Sequence, residues 1–165
     1  DCEMRLVRYL LNACSGFYCM SWIHEMGEGS HYKTNKQTVR VMATKFYRCR
    51  HCGNVIIKLV DSKVPVVCCG EQMQELIPNT VDASNEKHVP VVTRLDNCKL
   101  KIEVGSIPHP MTTEHHICFI YLETKRGGIR VDLTDKPEAI ICTCGEEPVA
   151  VYEYCNLHGL WKTEL

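Results

Sequence analysis

Cys49-Arg50-His51-Cys52, followed after fifteen residues by the adjacent pair Cys68-Cys69, constrains this chain more than any other feature. Vicinal cysteines rarely bridge comfortably to each other, so four thiols grouped this way read as ligands of one metal rather than as a disulfide frame. Four thiolates suit either zinc or a single iron. A zinc ribbon uses two Cys-x2-Cys knuckles, and replacing the second by adjacent cysteines distorts the tetrahedron, which favours iron. His51, inside the knuckle, is expected to be exposed rather than ligating. There are twelve cysteines in 165 residues, far above ordinary usage. Thiols kept reduced for metal binding point to the cytoplasm.

Around this motif, residues 45–80 read as a small unit with short strands at Phe46-Tyr47 and 55–60 and a turn at Gly53-Asn54. So short a segment builds little core, and a bound metal is expected to supply the missing stability. From Pro90 onward the pattern changes to short strands at 91–95, 99–104, 117–123, 129–133, 139–144 and 149–154. Turn signals separate them at Asp96-Asn97, Gly105-Ser106, Arg126-Gly127-Gly128, Asp135-Lys136-Pro137 and 145–148. The spacing leaves no room for helical crossovers, so the expected class is all-β, with an immunoglobulin-like antiparallel β-sandwich after the small unit.

Composition narrows the function by exclusion. Nineteen basic against twenty acidic residues give a formal charge of −1, so no global field argues for nucleic acid or an anionic membrane. No apolar run approaches the roughly 18 residues of a membrane span. Residues 1–41 differ in texture. Leu6, Tyr9, Leu10 and Ala13 suit one face of a short helix that Gly27-Glu28-Gly29-Ser30 breaks, and Met42-Ala43-Thr44 reads as a natural protein start. Arg5 and Arg8 before an apolar stretch faintly suggest export, but Asn12 interrupts that stretch and it is too short. The first 41 residues are therefore read as an extension without assigned function.

A second constellation is spread over seventy residues: Glu86-Lys87-His88, His109, His115-His116 and Cys155-Asn156-Leu157-His158. Taken singly, each histidine is more often bland than functional. His88 precedes Val89-Pro90, a rigid extended segment, and His109 is bracketed by Pro108 and Pro110, so both directions are constrained. His115 and His116 are expected where a strand begins, with alternation sending them to opposite faces, so one of the two reaches a shared metal. Spacing does not say which. Backbone N–H groups just after Cys155 could donate to its sulfur and tune it. Four imidazoles and one thiolate favour redox chemistry at one metal over a structural role.

At these residues the chain resembles superoxide reductase of the desulfoferrodoxin type, the form with two iron centres. The likeness runs from about Met42 to Trp161. It includes Phe46-Tyr47-Arg48-Cys49-Arg50-His51-Cys52-Gly53-Asn54, Cys68-Cys69-Gly70-Glu71, Asn79-Thr80-Val81-Asp82-Ala83, Glu86-Lys87-His88-Val89-Pro90-Val91, Gly105-Ser106, His109-Pro110-Met111 and Tyr154-Cys155-Asn156-Leu157-His158-Gly159-Leu160-Trp161.

The resemblance implies three segments: 1–41, an extension; 42–80, a desulforedoxin-like domain whose Cys49, Cys52, Cys68 and Cys69 bind the first iron; and 81–165, a catalytic β-sandwich. In the last of these His88, His109, His115 and His158 are implied as the equatorial ligands of a second iron and Cys155 as its axial ligand. It settles the ambiguous pair in favour of His115, six residues after His109. The implied reaction is one-electron reduction of superoxide to hydrogen peroxide, as oxidative-stress protection, with Lys87 attracting the anion and Glu86 able to fill the vacant iron position in the ferric state. A homodimer and an external donor such as rubredoxin follow from the same resemblance. The alternative is a non-catalytic iron electron-transfer protein of the same fold. Cys98, Cys118, Cys142 and Cys144 match no ligand of the family, and Cys142 and Cys144 are read as small apolar residues on one sheet face, with an adventitious metal or a disulfide as the alternative.

Overall fold

The computed structural model describes residues 44–83 and 85–165; the expectations for 1–41 lie outside the described residues. All described residues fall within one compact unit. Apart from one four-residue helix they form only antiparallel strands. Among the described residues, no helix is long and apolar enough to cross a membrane.

In the N-terminal part, β1 (Phe46–Arg48) is the middle strand between β2 (Val55–Ile57) and β5 (Gln74–Leu76), and β3 (Val67–Cys68) pairs with β4 (Glu71–Gln72) in a separate ribbon. The sequence suggested that the strand beginning at Val55 continues to residue 60, but it stops at Ile57. There Lys58 Nζ turns to donate to Asp61 Oδ1 at 2.6 Å and to the Val64 carbonyl at 2.8 Å, and Leu59 and Val60 project into solvent.

The remaining strands form two facing sheets. One has the order β10-β7-β6, with β6 Pro90–Arg94, β7 Lys99–Val104 and β10 Glu138–Cys142. The other has the order β12-β11-β8-β9, with β8 Ile117–Thr124, β9 Gly127–Asp132, β11 Pro148–Cys155 and β12 Gly159–Glu164. β7 shows why such a strand forms: Lys99-Leu100-Lys101-Ile102-Glu103-Val104 alternates, and Leu100, Ile102 and Val104 are buried while the charged residues are not. These three meet Ile117, Ile120, Leu122, Ile141, Val151 and Cys155 from the other strands in one apolar core. The Gly127-Gly128 pair belongs to β9 rather than to the turn, which is Lys125-Arg126. A Cβ on Gly128 would stand 2.1 Å from the Tyr121 hydroxyl, so glycine lets the Tyr121 side chain lie across β9.

β11 is buried on both faces. Alternation gives Val151 and Cys155 to the core between the sheets and turns Ala150, Tyr152 and Tyr154 outward. That outer face is covered by the N-terminal part: Phe46 packs with Ala150, Tyr152, Tyr154 and Leu160, with Val55, Ile57 and Leu76 against them. Phe46 lies 5.1 Å from Tyr152, ring to ring, and 5.5 Å from Tyr121. The small unit therefore gains apolar stabilisation from the sandwich, not from a metal alone as its length suggested. Burying an aromatic side chain such as Phe46 contributes roughly 2–3 kcal/mol. Polar contacts pin the same junction: Thr44 donates through N and Oγ1 to Glu123 Oε1, and the Tyr152 hydroxyl donates to Glu123 Oε2 at 3.0 Å.

Candidate metal centres

The first cluster is built by two turns. Between β1 and β2 the Cys49 N–H donates to the Asn54 carbonyl at 2.9 Å and the Gly53 N–H to the Cys49 carbonyl at 3.1 Å, closing a knuckle that needs Gly53 at φ +76°. Between β3 and β4, Cys69 and Gly70 both take left-handed backbone, at φ +52° and +81°. The sulfurs of Cys49, Cys52, Cys68 and Cys69 thereby converge within 4.8 Å of one another. Cys52 Sγ and Cys68 Sγ are 3.6 Å apart, and Cys68 Sγ and Cys69 Sγ 3.9 Å. The N–H groups of Cys52 and His51 draw the Cys49 thiol down to about 6, while the neighbouring thiols, Cys52 first, push Cys69 up to about 12. A cation bound by this set displaces the thiol protons to solvent. Cys49 is buried and Cys52 and Cys69 are exposed. His51 is exposed beside Glu71, 3.1 Å from its carboxylate.

The second cluster lies at one end of the sandwich, where four separate segments meet. His88 ends helix α1 (Asn85–His88), His109 lies in the Pro-bracketed loop after β7, His115 precedes β8, and Cys155 and His158 flank the tight turn between β11 and β12. The four imidazole rings form the corners of a near-square. Successive centroids, in the order His88, His109, His115, His158 and back, are 4.7, 4.4, 4.8 and 4.8 Å apart, and the His88 to His115 diagonal is 6.4 Å. Cys155 Sγ lies 3.7 Å from both His109 Nε2 and His158 Nδ1. The donor atoms of His88, His109, Cys155 and His158 fall within 4.8 Å of one another. His115 joins them through its ring, and its Nε2 is buried with no hydrogen-bond partner, as expected for an atom aimed at a cation.

The strand expected at His115-His116 begins only at Ile117, so the two histidines are separated by the preceding turn rather than by sheet alternation. His116 Nδ1 donates to the Thr112 carbonyl at 3.0 Å, and its backbone N–H donates to Asn156 Oδ1 at 3.0 Å. Asn156 also donates to the Glu114 carbonyl at 2.8 Å, so it ties the turn carrying Cys155 and His158 to the segment carrying His115.

Burial, His109, His158 and His115 in turn push His88 down to about 4, and burial also lowers His109 and His115, so these imidazoles are neutral and able to ligate. Burial raises the Cys155 thiol, opposed by the N–H groups of His158 and Leu157 as the sequence suggested.

Two residues of this site escaped sequence reading. Glu153, fully buried, places Oε1 3.4 Å from His88 Nδ1, in ion-pair range though not aligned as a hydrogen bond. Burial pushes its carboxyl well above the usual range. Trp161, also fully buried, stacks on the His88 ring at 4.9 Å and 12°. The available signal was an acid two residues before Cys155 in an otherwise apolar strand, which alternation sends to the inner face with the cysteine.

Glu86 and Lys87 are exposed on α1. The Glu86 carbonyl accepts from the Ile107 N–H at 3.0 Å and from Ser106 Oγ at 3.3 Å. Gly105, at φ +79°, makes this approach possible: a Cβ there would stand 2.7 Å from the Glu86 carbonyl oxygen and the Lys87 carbonyl carbon.

The two donor sets, four thiols in one and four imidazoles with one thiol in the other, suit two iron centres. The Desulfoferrodoxin family profile matches residues 80–164. The chain is 44% identical over 120 residues to a desulfoferrodoxin of Syntrophotalea carbinolica, covering 72% of this chain and 94% of that protein. It is 42% identical over 122 residues to one of Nitratidesulfovibrio vulgaris, covering 73% and 95%. In three dimensions it resembles the superoxide reductase of Treponema pallidum, with a TM-score of 0.62 and 32% identity over 74% of this chain and 100% of that one. The chain belongs to the desulfoferrodoxin family of two-iron proteins.

Proposed function

We propose that the chain is a superoxide reductase, which converts superoxide, with one electron and two protons, to hydrogen peroxide. The observation that carries this reading is the single buried sulfur of Cys155, 3.7 Å from His109 and His158 in a set of four convergent imidazoles of which two, His115 and His158, are only partly buried. Ferrous iron held by His88, His109, His115, His158 and Cys155 would supply the electron, with the thiolate increasing electron density at the metal. The likeness to a solved superoxide reductase supports the assignment.

The remaining work falls to the protein. Lys87, exposed beside the buried His88, contributes after burial and the neighbouring imidazoles to the depressed pKa values of His88, His109 and His115, so its field spans the cluster and attracts a small anion. Glu86, held by its carbonyl at the same edge, offers a carboxylate that guards the site. Residues 42–80 act as an electron relay to the catalytic part, 81–165. The exposed Cys52 and Cys69 give an external donor of the rubredoxin kind a short approach to the four-cysteine centre. A homodimer would cover strand edges of the small unit, and the reduced thiols suit the cytoplasm.

Anaerobic pulse radiolysis of the iron-loaded, reduced chain tests this. The expected result is one peroxide formed for each superoxide consumed and each ferrous site oxidised, without dioxygen. Dioxygen released alongside peroxide would indicate a dismutase, and an unaccelerated decay of superoxide would indicate an electron carrier.

A further inference from the structure

We propose that Cys98, Cys142 and Cys144 form a third cation site, for a thiophilic closed-shell ion such as zinc, where β7 begins and β10 ends. None of these residues belongs to the two clusters described above, so the inference stands apart from the proposed reaction.

The sulfurs of Cys142 and Cys144 are 3.6 Å apart, the same as Cys52 to Cys68 and shorter than Cys68 to Cys69 at 3.9 Å. Residues two apart on a continuing strand would lie about 6.6 Å apart. The close approach comes from a turn: Cys144 takes φ +51° and Gly145 φ +82°. Cys69 and Gly70 do the same at +52° and +81°, and a glutamate follows in both cases, Glu71 in one and Glu146 in the other. Left-handed backbone is unfavourable for a residue with a Cβ. Among the described residues only four non-glycine residues adopt it, Lys63, Cys69, Asn79 and Cys144. The chain thus uses one local device twice, once in the four-cysteine cluster and once here. The expectation that Cys142 and Cys144 share a sheet face as small apolar residues fails because β10 ends at Cys142.

Cys98 is brought to this pair by the sheet. Cys142 pairs with Lys99, the residue after Cys98, and the Thr143 N–H donates to the Cys98 carbonyl at 2.6 Å. Asp96 Oδ1 accepts from the N–H groups of Cys98 and Lys99, both at 2.8 Å, which fixes the loop and sets a carboxylate beside the third thiol. That carboxylate, burial and Cys142 together hold the Cys98 thiol up at about 11. Three thiols and one carboxylate, the latter with the Lys99 ammonium 3.9 Å away, match the sulfur and oxygen donors of a four-coordinate zinc. The set is wider than the two compact clusters, whose donor atoms lie within 4.8 Å, so a side-chain rotation accompanies binding. Each thiol that bonds the cation gives up its proton to solvent.

The test uses the full iron-loaded chain and two variants, C142S/C144S and C144S alone at an exposed position, under reducing conditions. After equilibration with zinc and dialysis against a weak chelator, metal content is measured. The expected result is one more equivalent of zinc per chain in the parent than in either variant, at unchanged iron content, with proton release on zinc addition confined to the parent. Equal zinc in parent and variants would overturn the proposal. So would a Cys142–Cys144 disulfide that persists under the same reducing conditions, detected by mass spectrometry of alkylated peptides.

Discussion

The Nδ1 of His109 lies 2.6 Å from the carbonyl oxygen of the next residue, Pro110, and donates to it. The proton is thereby held on Nδ1, and the lone pair of Nε2 is turned toward the Cys155 sulfur 3.7 Å away. The orientation comes from two prolines and one short peptide contact, so it is set by the chain before any ion binds. With His109 so fixed, Cys155 is the one thiol among these donors. Cys155→Ser in the iron-loaded protein is expected to abolish the thiolate-to-iron charge-transfer absorption in the oxidised visible spectrum. Survival of that band would mean that another residue supplies the sulfur.

Glu153 faces the Nδ1 of His88 as the Pro110 carbonyl faces that of His109, but in ion-pair range and without the alignment of a hydrogen bond. Its carboxylate faces His88 Nδ1 at 3.4 Å from a fully buried position, and neither oxygen has a hydrogen-bond partner in the protein. Burial keeps the Glu153 carboxyl protonated before a cation is bound, and Glu153→Gln keeps the shape but removes the acid's ability to ionise when a cation binds beside the ring. Iron retention at the histidine cluster against a competing chelator is expected to fall about 10- to 100-fold, with the four-cysteine iron unaffected. Equal retention at both centres would show that Glu153 only fills space.

Much of this architecture was legible because local rules agreed. The alternation of 99–104 named both the strand and its buried face, and the Cys-x2-Cys knuckle with vicinal cysteines named the first cluster from spacing alone. What spacing could not decide was His115 against His116, since the answer lies in an Asn156 side chain forty residues away. β12 was missed because Gly159-Leu160-Trp161-Lys162-Thr163-Glu164 follows a ligand turn and shows weak alternation. Helix α1, four residues long, carries no periodic signal at all. The covering of β11 by Phe46 was invisible because it joins residues a hundred positions apart. Glu153 was passed over because an acid in a strand ordinarily faces water.

Gly105 connects the sandwich to α1. An added methyl would meet backbone atoms of Glu86, Lys87 and Ile107 at 2.7 Å, and the backbone at φ +79° disfavours any other residue. Backbone cannot swing aside as a long side chain can. Gly105→Ala is expected to cost about 2–4 kcal/mol, read as a lowered denaturation midpoint. Because the shift displaces Glu86 and Lys87, the rate with superoxide should fall too, even where the protein remains folded. A variant as stable as the parent would show that the β7 end yields more easily than this packing implies.

Asp61 accounts for a local acid sensitivity. Hydrogen bonds from Lys58 Nζ and from the N–H and Nζ of Lys63 hold its carboxyl well below the ordinary 3.8. A carboxylate with a depressed folded pKa contributes stability that is present above its unfolded value and is lost as pH falls through the folded one. The contribution is therefore complete at neutral pH and declines below pH 3.8. Denaturant midpoints measured at descending pH should show a shallower acid slope for Asp61→Asn than for the parent. Parallel slopes would mean that the three contacts are replaced by water at no cost.

Lys87 tests electrostatic attraction directly. Its ammonium is exposed on α1, one residue before the buried His88, in a chain with a net charge of only −1. With so little global field, a single local charge at the cluster dominates what a small anion feels within a Debye length, about 8–10 Å at physiological salt. Lys87→Ala is expected to lower the second-order rate with superoxide by roughly 10-fold and to flatten its dependence on ionic strength. The iron content and the charge-transfer band should not change, which separates a loss of attraction from damage to the centre. Lys87→Arg should restore both the rate and its salt dependence, since charge rather than side-chain shape is what the anion meets. A rate unchanged in Lys87→Ala at low salt would remove the attraction role from this residue.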